Sequence, residues 1–506
     1  MSPLLIIIVL LAYFGVLFGI SWFTGRKADN DSFFIGNHRS PWYLVAFGMI
    51  GTSISGVTFI SVPGEVGYNQ FAYMQMVIGF FLGYLFIARV LLPIYYKFNM
   101  TSIYTYLENR FGRTSYKTGS AFFLLSRVIG CSFRLFLMTS VLQLAVFDAW
   151  GVPFELTVVV IIILILLYTF KGGIRTIVFT DTLQTLFMIT ALIITIVAIK
   201  NSLGLSLGGV VSEIRNSDYA RMWFFDNPTE KTFFWKQFLS GIFITIVMTG
   251  LDQDMMQKNL SCRNLKDAQK NMYWYGFAFI PINLLFMSLG AMLYIFAARN
   301  GIQVPAQSDN LYPMLATATS ADGTPFLPAA VGVLFILGLV AAAYSSADSA
   351  LTALTTAFSI DILEIEKKNM TDSEKIRLRK RVHIGIAIAV ALIIIIFNRL
   401  NDRSVISAIY TIAGYTYGPL LGLYAFGLFT KKEIADRHVW IVCIASPIIC
   451  VIINYLTPIL LGGYKMGYEL LIINGLLTFA GLWLLRKKSP ATQPKGGNAR
   501  QYNATN

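Results

Sequence analysis

LVAAAYSSADS, residues 339–349, gathers Ser345, Ser346, Asp348 and Ser349 into about one helical turn of an otherwise apolar segment. A carboxylate near a bilayer centre costs roughly 2.5–3.5 kcal/mol even on lenient insertion scales, so an acid in such a segment marks a functional site by default. Serines are cheaper, because each can bond the carbonyl one turn back or join two helices. The three alanines ahead of them let a neighbouring helix come close. Two readings fit: an oxygen-rich pocket for a hard cation, or hydrogen bonding between helices alone.

The membrane setting follows from composition. With 56% hydrophobic residues, 14% aromatic and 13% charged over 506 residues, the chain reads as an all-α polytopic membrane protein rather than a soluble globule. Thirteen segments are long enough to span: 3–23, 42–65, 71–96, 118–146, 153–170, 178–199, 233–256, 271–298, 326–359, 383–398, 404–429, 438–457 and 467–485. The first lacks a positive leading region and a small-residue cleavage site, and is expected to be a mature helix. The stretch 201–232 mixes charges with aromatics and reads as an ordered extracellular cap. The tail 489–506, rich in Pro, Gly, Asn and Thr, reads as disordered.

A net charge of +14 would suit nucleic acid if it were clustered, but its distribution is topological. Of 40 Lys and Arg residues, 28 fall in alternate loops and the C-terminal tail, including four in the loop 257–270. Only 9 lie on the other side, and Arg89, Arg127 and Arg134 lie within segments. The bias predicts an outside N-terminus and a cytoplasmic C-terminus, with no nucleic-acid partner. Cys131, Cys443 and Cys450 sit in segments and Cys262 in a loop, with no disulfide framework or metal spacing. His38, His383 and His438 fall at cytoplasmic ends of segments, which argues against a histidine relay or a zinc site.

A second interrupted segment, AFGMIGTSISGVTFISVPG (46–64), carries Gly48, Gly51, Gly56, Gly64, Pro63 and several hydroxyls. Glycines and hydroxyls weaken a helix ladder, and freed carbonyls are tolerated in a membrane only when they face a cavity, an ion or protein. The segment therefore reads as a broken helix or as a close-packed glycine seam. Broken helices at mid-membrane are where secondary transporters hold solute and ion. Asp181, near the cytoplasmic end of its segment, either joins such a site or snorkels to the interface. Arg134, well inside its own segment, either pairs with an acid or a helix end, or awaits an anionic solute.

Taken together the residues resemble the sodium:solute symporter family, of LeuT-type fold. The resemblance runs through DSFFIGNHRSPWYLVAFGMIGTSISGVTFISVPG, NMTSIYTYLENRFG, YTFKGGIRTIVFTDTLQ, GLDQDMMQKNL, AAAYSSADSALTALTTAFSIDI and GYTYGPLLGLYAFGLFTKK. It implies a leading helix and loop (1–41), two inverted five-helix repeats (42–200 and 233–430) joined by the cap 201–232, two trailing helices (431–488) and the tail.

The family's main sodium site falls on the carbonyls of Gly51, Ile54 and Ala342 and the hydroxyls of Ser345 and Ser346. A second site in the sialic acid branch falls on Asp181, Ser345, Asp348 and Ser349; Asp348 stands where that branch has serine, which leaves the ion count open. The resemblance also implies solute contacts at Ser55 and Thr58. An ungapped alignment puts Gly130 on the branch's carboxylate-binding arginine position, with Arg134 one turn later. Tyr73, Gln75, Tyr415 and Tyr417 are further candidate contacts, and Asp254 beside Gln253 is expected at a gate.

The expected activity is sodium-coupled import of a small organic solute, an acidic sugar or other organic anion before a neutral sugar, by a monomeric unit in a bacterial inner membrane. Proton coupling through Asp181 and Asp348 is the alternative. No nucleophile with an oriented base appears, so an enzyme is not expected.

Overall fold

The computed structural model describes residues 3–25, 40–98, 100–319, 323–399 and 405–487. Among these the chain is helical, with β pairing confined to isolated bridges such as Ser40 with Cys262. Eight helices are long and apolar enough to cross a membrane, and two bent pairs bring the number to ten. Three shorter apolar helices, Phe154–Leu167, Gly418–Phe429 and Leu470–Leu484, lie on the remaining expected spans.

The elements that build the site are α1 (Pro3–Gly25), α2 (Trp42–Ser53), α3 (Gly56–Asn69), α4 (Tyr73–Phe86), α5 (Arg113–Leu142), α6 (Phe154–Ser202), α7 (Phe234–Thr245, prolonged to Gly250), α8 (Gln253–Leu260), α9 (Leu265–Arg299), α10 (Ala329–Ala357), α11 (Asp372–Asn398) and α12 (Val405–Thr416). The axes of α2 and α3 meet at 56°, and those of the α7 and α8 pair at 64°. Each expected repeat thus opens on a broken helix. Both readings of 46–64 hold: the helix is broken, and its glycines are also close-packed.

Helix α6 covers two expected spans in one helical run of 49 residues. The Tyr344 hydroxyl reaches the Ile161 carbonyl at 3.4 Å, while its neighbour Ser345 bonds Asp181 at 2.7 Å. Twenty residues of straight helix would separate those partners by about 30 Å. The run therefore doubles back between them, and both halves pass α10 at the same level.

Close packing at the first break depends on missing side chains. A Cβ at Gly51 would overlap the Thr185 hydroxyl, and one at Gly48 would stand 3.1 Å from the Asp181 Cβ. These two glycines let α6 bring its carboxylate against α2. His383, on α11, is a core histidine held between the hydroxyls of Thr169 at 3.0 Å and Thr355 at 2.8 Å. The cap 201–232 contains a helix, Leu207–Asn216, and is tied to α4 where the Phe224 N–H donates to the Gln75 side chain at 3.0 Å. His38 and the tail lie outside the described residues.

Candidate ion and solute site

Helix α2 ends at Ser53; Ile54 (φ −81°, ψ 70°) and Ser55 (φ −68°, ψ 173°) leave helical geometry before α3 resumes at Gly56. The last four carbonyls of a helix have no partner within it. The Ile54 N–H returns to Ile50 at 2.8 Å, yet among the described residues no donor reaches the carbonyls of Gly51 or Ile54. Both residues are buried. Buried acceptors without donors are costly and rare, and a bound cation removes the cost. Facing them is α10, where Ala342, Ser345 and Ser346 are all buried. The Ser345 and Thr52 hydroxyls stand 3.4 Å apart, so the serine pair does abut the break.

Asp181 is fully buried, which removes the snorkelling reading. One carboxylate oxygen accepts from the Ser345 hydroxyl at 2.7 Å; the other accepts from the Thr52 hydroxyl at 3.0 Å and from the Lys258 ammonium at 2.6 Å. The ammonium also donates to Thr52. Lys258 was expected in the loop 257–270; instead it lies on α8 with 1% of its side chain exposed. Its place in QDMMQKNL, between Gln257 and Asn259, gives no warning in the sequence, because a lysine at a helix end ordinarily reaches for water. Asp348 and Ser349 are also buried, and one Asp348 oxygen accepts from the Ser349 N–H at 2.6 Å. Tyr13 of α1, bonded to Gln184 at 3.0 Å, lies within electrostatic reach of both acids.

Arg134 faces the centre of the protein. One guanidinium nitrogen donates to the Ser346 hydroxyl at 2.9 Å. Its Nε is buried and has no hydrogen-bond partner, and among the described residues no carboxylate pairs with it. It lines a cavity of about 80 Å³ together with Ser55, Thr58, Thr52, Ser53, Tyr84 and Arg127. Arg127 differs: it is ion-paired with Asp254, and it lies 3.8 Å from Asp252. The cavity wall therefore holds one arginine in an ion pair and one that, among the described residues, has no carboxylate within pairing distance, although Asp252 acts on both from farther off.

The other expected contacts are elsewhere. Gln75 lines neither main cavity; it is fully buried, and its amide donates to the carbonyls of Ala72 and Thr232, which ties it to the cap 201–232. Tyr73 lines a separate cavity of about 220 Å³ on the side of the cap, with Lys231 and Thr232. Tyr410 lines both cavities, and its hydroxyl meets that of Tyr73 at 3.1 Å, so this pair stands between them. Tyr415 accepts from Asn454, and Tyr417 donates to Asp252 at 2.6 Å.

Asp252 is the N-cap of α8, accepting from the Asp254 N–H at 2.9 Å. At this second break the carbonyls are capped: Tyr95 donates to Gly250 at 2.8 Å and Tyr104 to Leu251 at 3.0 Å. Sequence reasoning passed over this break, although Gly250 followed by an aspartate cap in GLDQD is a readable signal.

Comparison with known proteins matches this architecture. The chain is 25% identical over 443 residues to a sodium/sialic acid symporter of Aliivibrio fischeri, covering 85% of this chain and 84% of that one. It is 26% identical over 400 residues to a sodium-dependent multivitamin transporter of Oryctolagus cuniculus, covering 76% of this chain and 59% of that one. The fold is that of a sodium-coupled sialic acid symporter solved in a substrate-bound outward-open state, with a TM-score of 0.78 at 21% identity over 95% of this chain and 97% of that one. The family profile covers residues 33–437, and the chain belongs to the sodium:solute symporter family.

Proposed function

We propose that this chain imports a small organic anion, an acidic sugar such as a sialic acid or another carboxylate, with sodium moving down its gradient. The observation that carries the anion is Arg134, a buried guanidinium on the cavity wall with an unpaired Nε and, among the described residues, no carboxylate within ion-pair distance. A charge left unbalanced in a low-dielectric site is costly unless a ligand completes it, and a guanidinium fork suits a carboxylate.

Sodium binds at the uncapped carbonyls of Gly51 and Ile54, the Ala342 carbonyl and the hydroxyls of Ser345 and Ser346. Bound there, it orders the break and takes the Ser346 oxygen from Arg134. The released guanidinium turns to the cavity, where the solute carboxylate meets it beside Ser55 and Thr58. Ion and anion then strengthen each other's binding by the same factor. Each sodium entering down 100 mV supplies ~2.3 kcal/mol before any concentration gradient. The charge bias of the loops orients the chain with its N-terminus outside, in a bacterial inner membrane.

The test is uptake of radiolabelled sialic acid, glucose and short carboxylates into proteoliposomes, with and without an inward sodium gradient at fixed pH. Sodium-driven anion uptake that Arg134→Ala abolishes is the expected result. Uptake of glucose alone overturns the anion, and uptake indifferent to sodium but driven by a pH gradient overturns the ion.

A further inference from the structure

The Asp181 carboxylate already has a cation, and the chain supplies it. We propose that the Lys258 ammonium is a tethered replacement for a second sodium, so that the main site alone sets the ion count at one sodium per solute. This rests on the symport reading above and deepens it.

The oxygens of Asp181, Thr52 and Ser345 converge: Ser345 lies 2.7 Å and Thr52 3.0 Å from the carboxylate, and the two hydroxyls lie 3.4 Å apart. A carboxylate with hydroxyls is a donor set for a hard cation. The ammonium stands among them, 2.6 Å from Asp181 and bonded to Thr52, spending two of its three N–H groups there. Asp181 and Lys258 are 0% and 1% exposed, so their charges cancel with little help from water. A sodium ion placed against the same carboxylate would meet a like charge a few ångströms away, in a medium that screens it weakly.

Position adds a second argument. Thr52 precedes the first break, Lys258 follows the second, Asp181 is on α6 and Ser345 on α10. A cation at this point ties both broken helices to their neighbours. A diffusible ion would be released at each turnover and add its gradient to the driving force, whereas a tethered one stays and adds none. Ser345, which donates to Asp181, retains its lone pairs for sodium at the main site. Lys258 is thus a positioning and stoichiometry-determining residue.

The experiment counts sodium on the purified full-length protein without solute, by isothermal titration calorimetry, and counts sodium-22 against solute in proteoliposomes. The wild type is expected to bind a single sodium with hyperbolic dependence and to move one per solute. Lys258→Met, which leaves Asp181 in place, is expected to bind two, with a sigmoidal dependence. Should that variant fail to fold, Lys258→Met with Asp181→Asn removes both charges and is expected to bind a single sodium as the wild type does. Two sodium ions bound by the wild type, a single ion bound by a folded Lys258→Met, or a double variant that binds none overturns the proposal. Anion uptake coupled to two sodium ions sinks this inference and leaves the symport reading standing; a single bound sodium with no solute uptake does the reverse.

Discussion

The two broken helices differ in what becomes of the carbonyls that a break sets free. At the second, the hydroxyls of Tyr95 and Tyr104 cap Gly250 and Leu251, and Asp252 caps the helix that follows. At the first, among the described residues, nothing donates to Gly51 or Ile54, although both are buried. A break is therefore not in itself an ion site. What makes one is a set of buried acceptors left without donors, because only there does a cation relieve a cost the protein has not already met. The same contrast separates the buried cations. Lys258 is ion-paired with Asp181 and Arg127 with Asp254, whereas Arg134, among the described residues, has a serine hydroxyl and no ion-paired acid.

The largest expected effect comes from unbalancing the pair that joins the two breaks. Asp181→Asn leaves the Lys258 ammonium buried without its counter-charge, and breaking a buried pair in this way costs ~3–5 kcal/mol. Thermal unfolding of the purified protein should show a large drop, and sodium should restore little of it. A drop no larger than that of a surface substitution would mean that the ammonium finds water when Asp181 is neutral. Next comes Arg134→Ala. Loss of charge-assisted bonds worth about 1.5–3 kcal/mol should weaken anion binding by about ten- to a hundredfold. Stability should hold or rise, since an unbalanced buried charge is removed. A fall in stability without a change in anion binding would make Arg134 a packing residue.

How much of this was open to sequence reading depended on whether the chemistry left a mark on pattern. The first break was legible because glycines and hydroxyls crowd one apolar segment, and α10 because an acid among serines is expensive there. Ser55, Thr58 and Arg134 line one cavity. Gln75 ties down the cap and Tyr73 lines a separate cavity, and nothing in the sequence distinguishes residues in such places from ones on the central cavity. Lys258 was missed for a sharper reason. A lysine two residues from the end of its helix, ahead of Arg263 and Lys266, looks like an interfacial cation. Only the bend before α8 turns it inward to Asp181, 77 residues away in sequence.

Smaller effects sharpen the contrast between the breaks. Ser345→Ala removes one proposed sodium ligand at the open break, a loss of about 1–1.5 kcal/mol or roughly tenfold in sodium affinity. Tyr104→Phe uncaps Leu251 at the other break and should leave sodium affinity within about twofold while lowering stability by ~1–3 kcal/mol. If Tyr104→Phe instead created a further sodium requirement, freed carbonyls alone would suffice to make a site.

The smallest expected change separates a gate from a contact. Tyr73→Phe deletes the neutral hydrogen bond to Tyr410, worth about 0.5–1.5 kcal/mol, between the cap-side and the central cavity. Tyr73 does not line the central cavity, so in the orientation proposed above its loss is expected to act by raising the fraction of molecules open to the outside. Apparent affinity scales with the competent fraction, so sodium and anion affinities measured from outside should rise together by one common factor, up to about tenfold. Ser345→Ala, by contrast, acts first on sodium, and Arg134→Ala first on the anion. A change in anion affinity alone in Tyr73→Phe would return the tyrosine to the solute site, and the two cavities would then act as one.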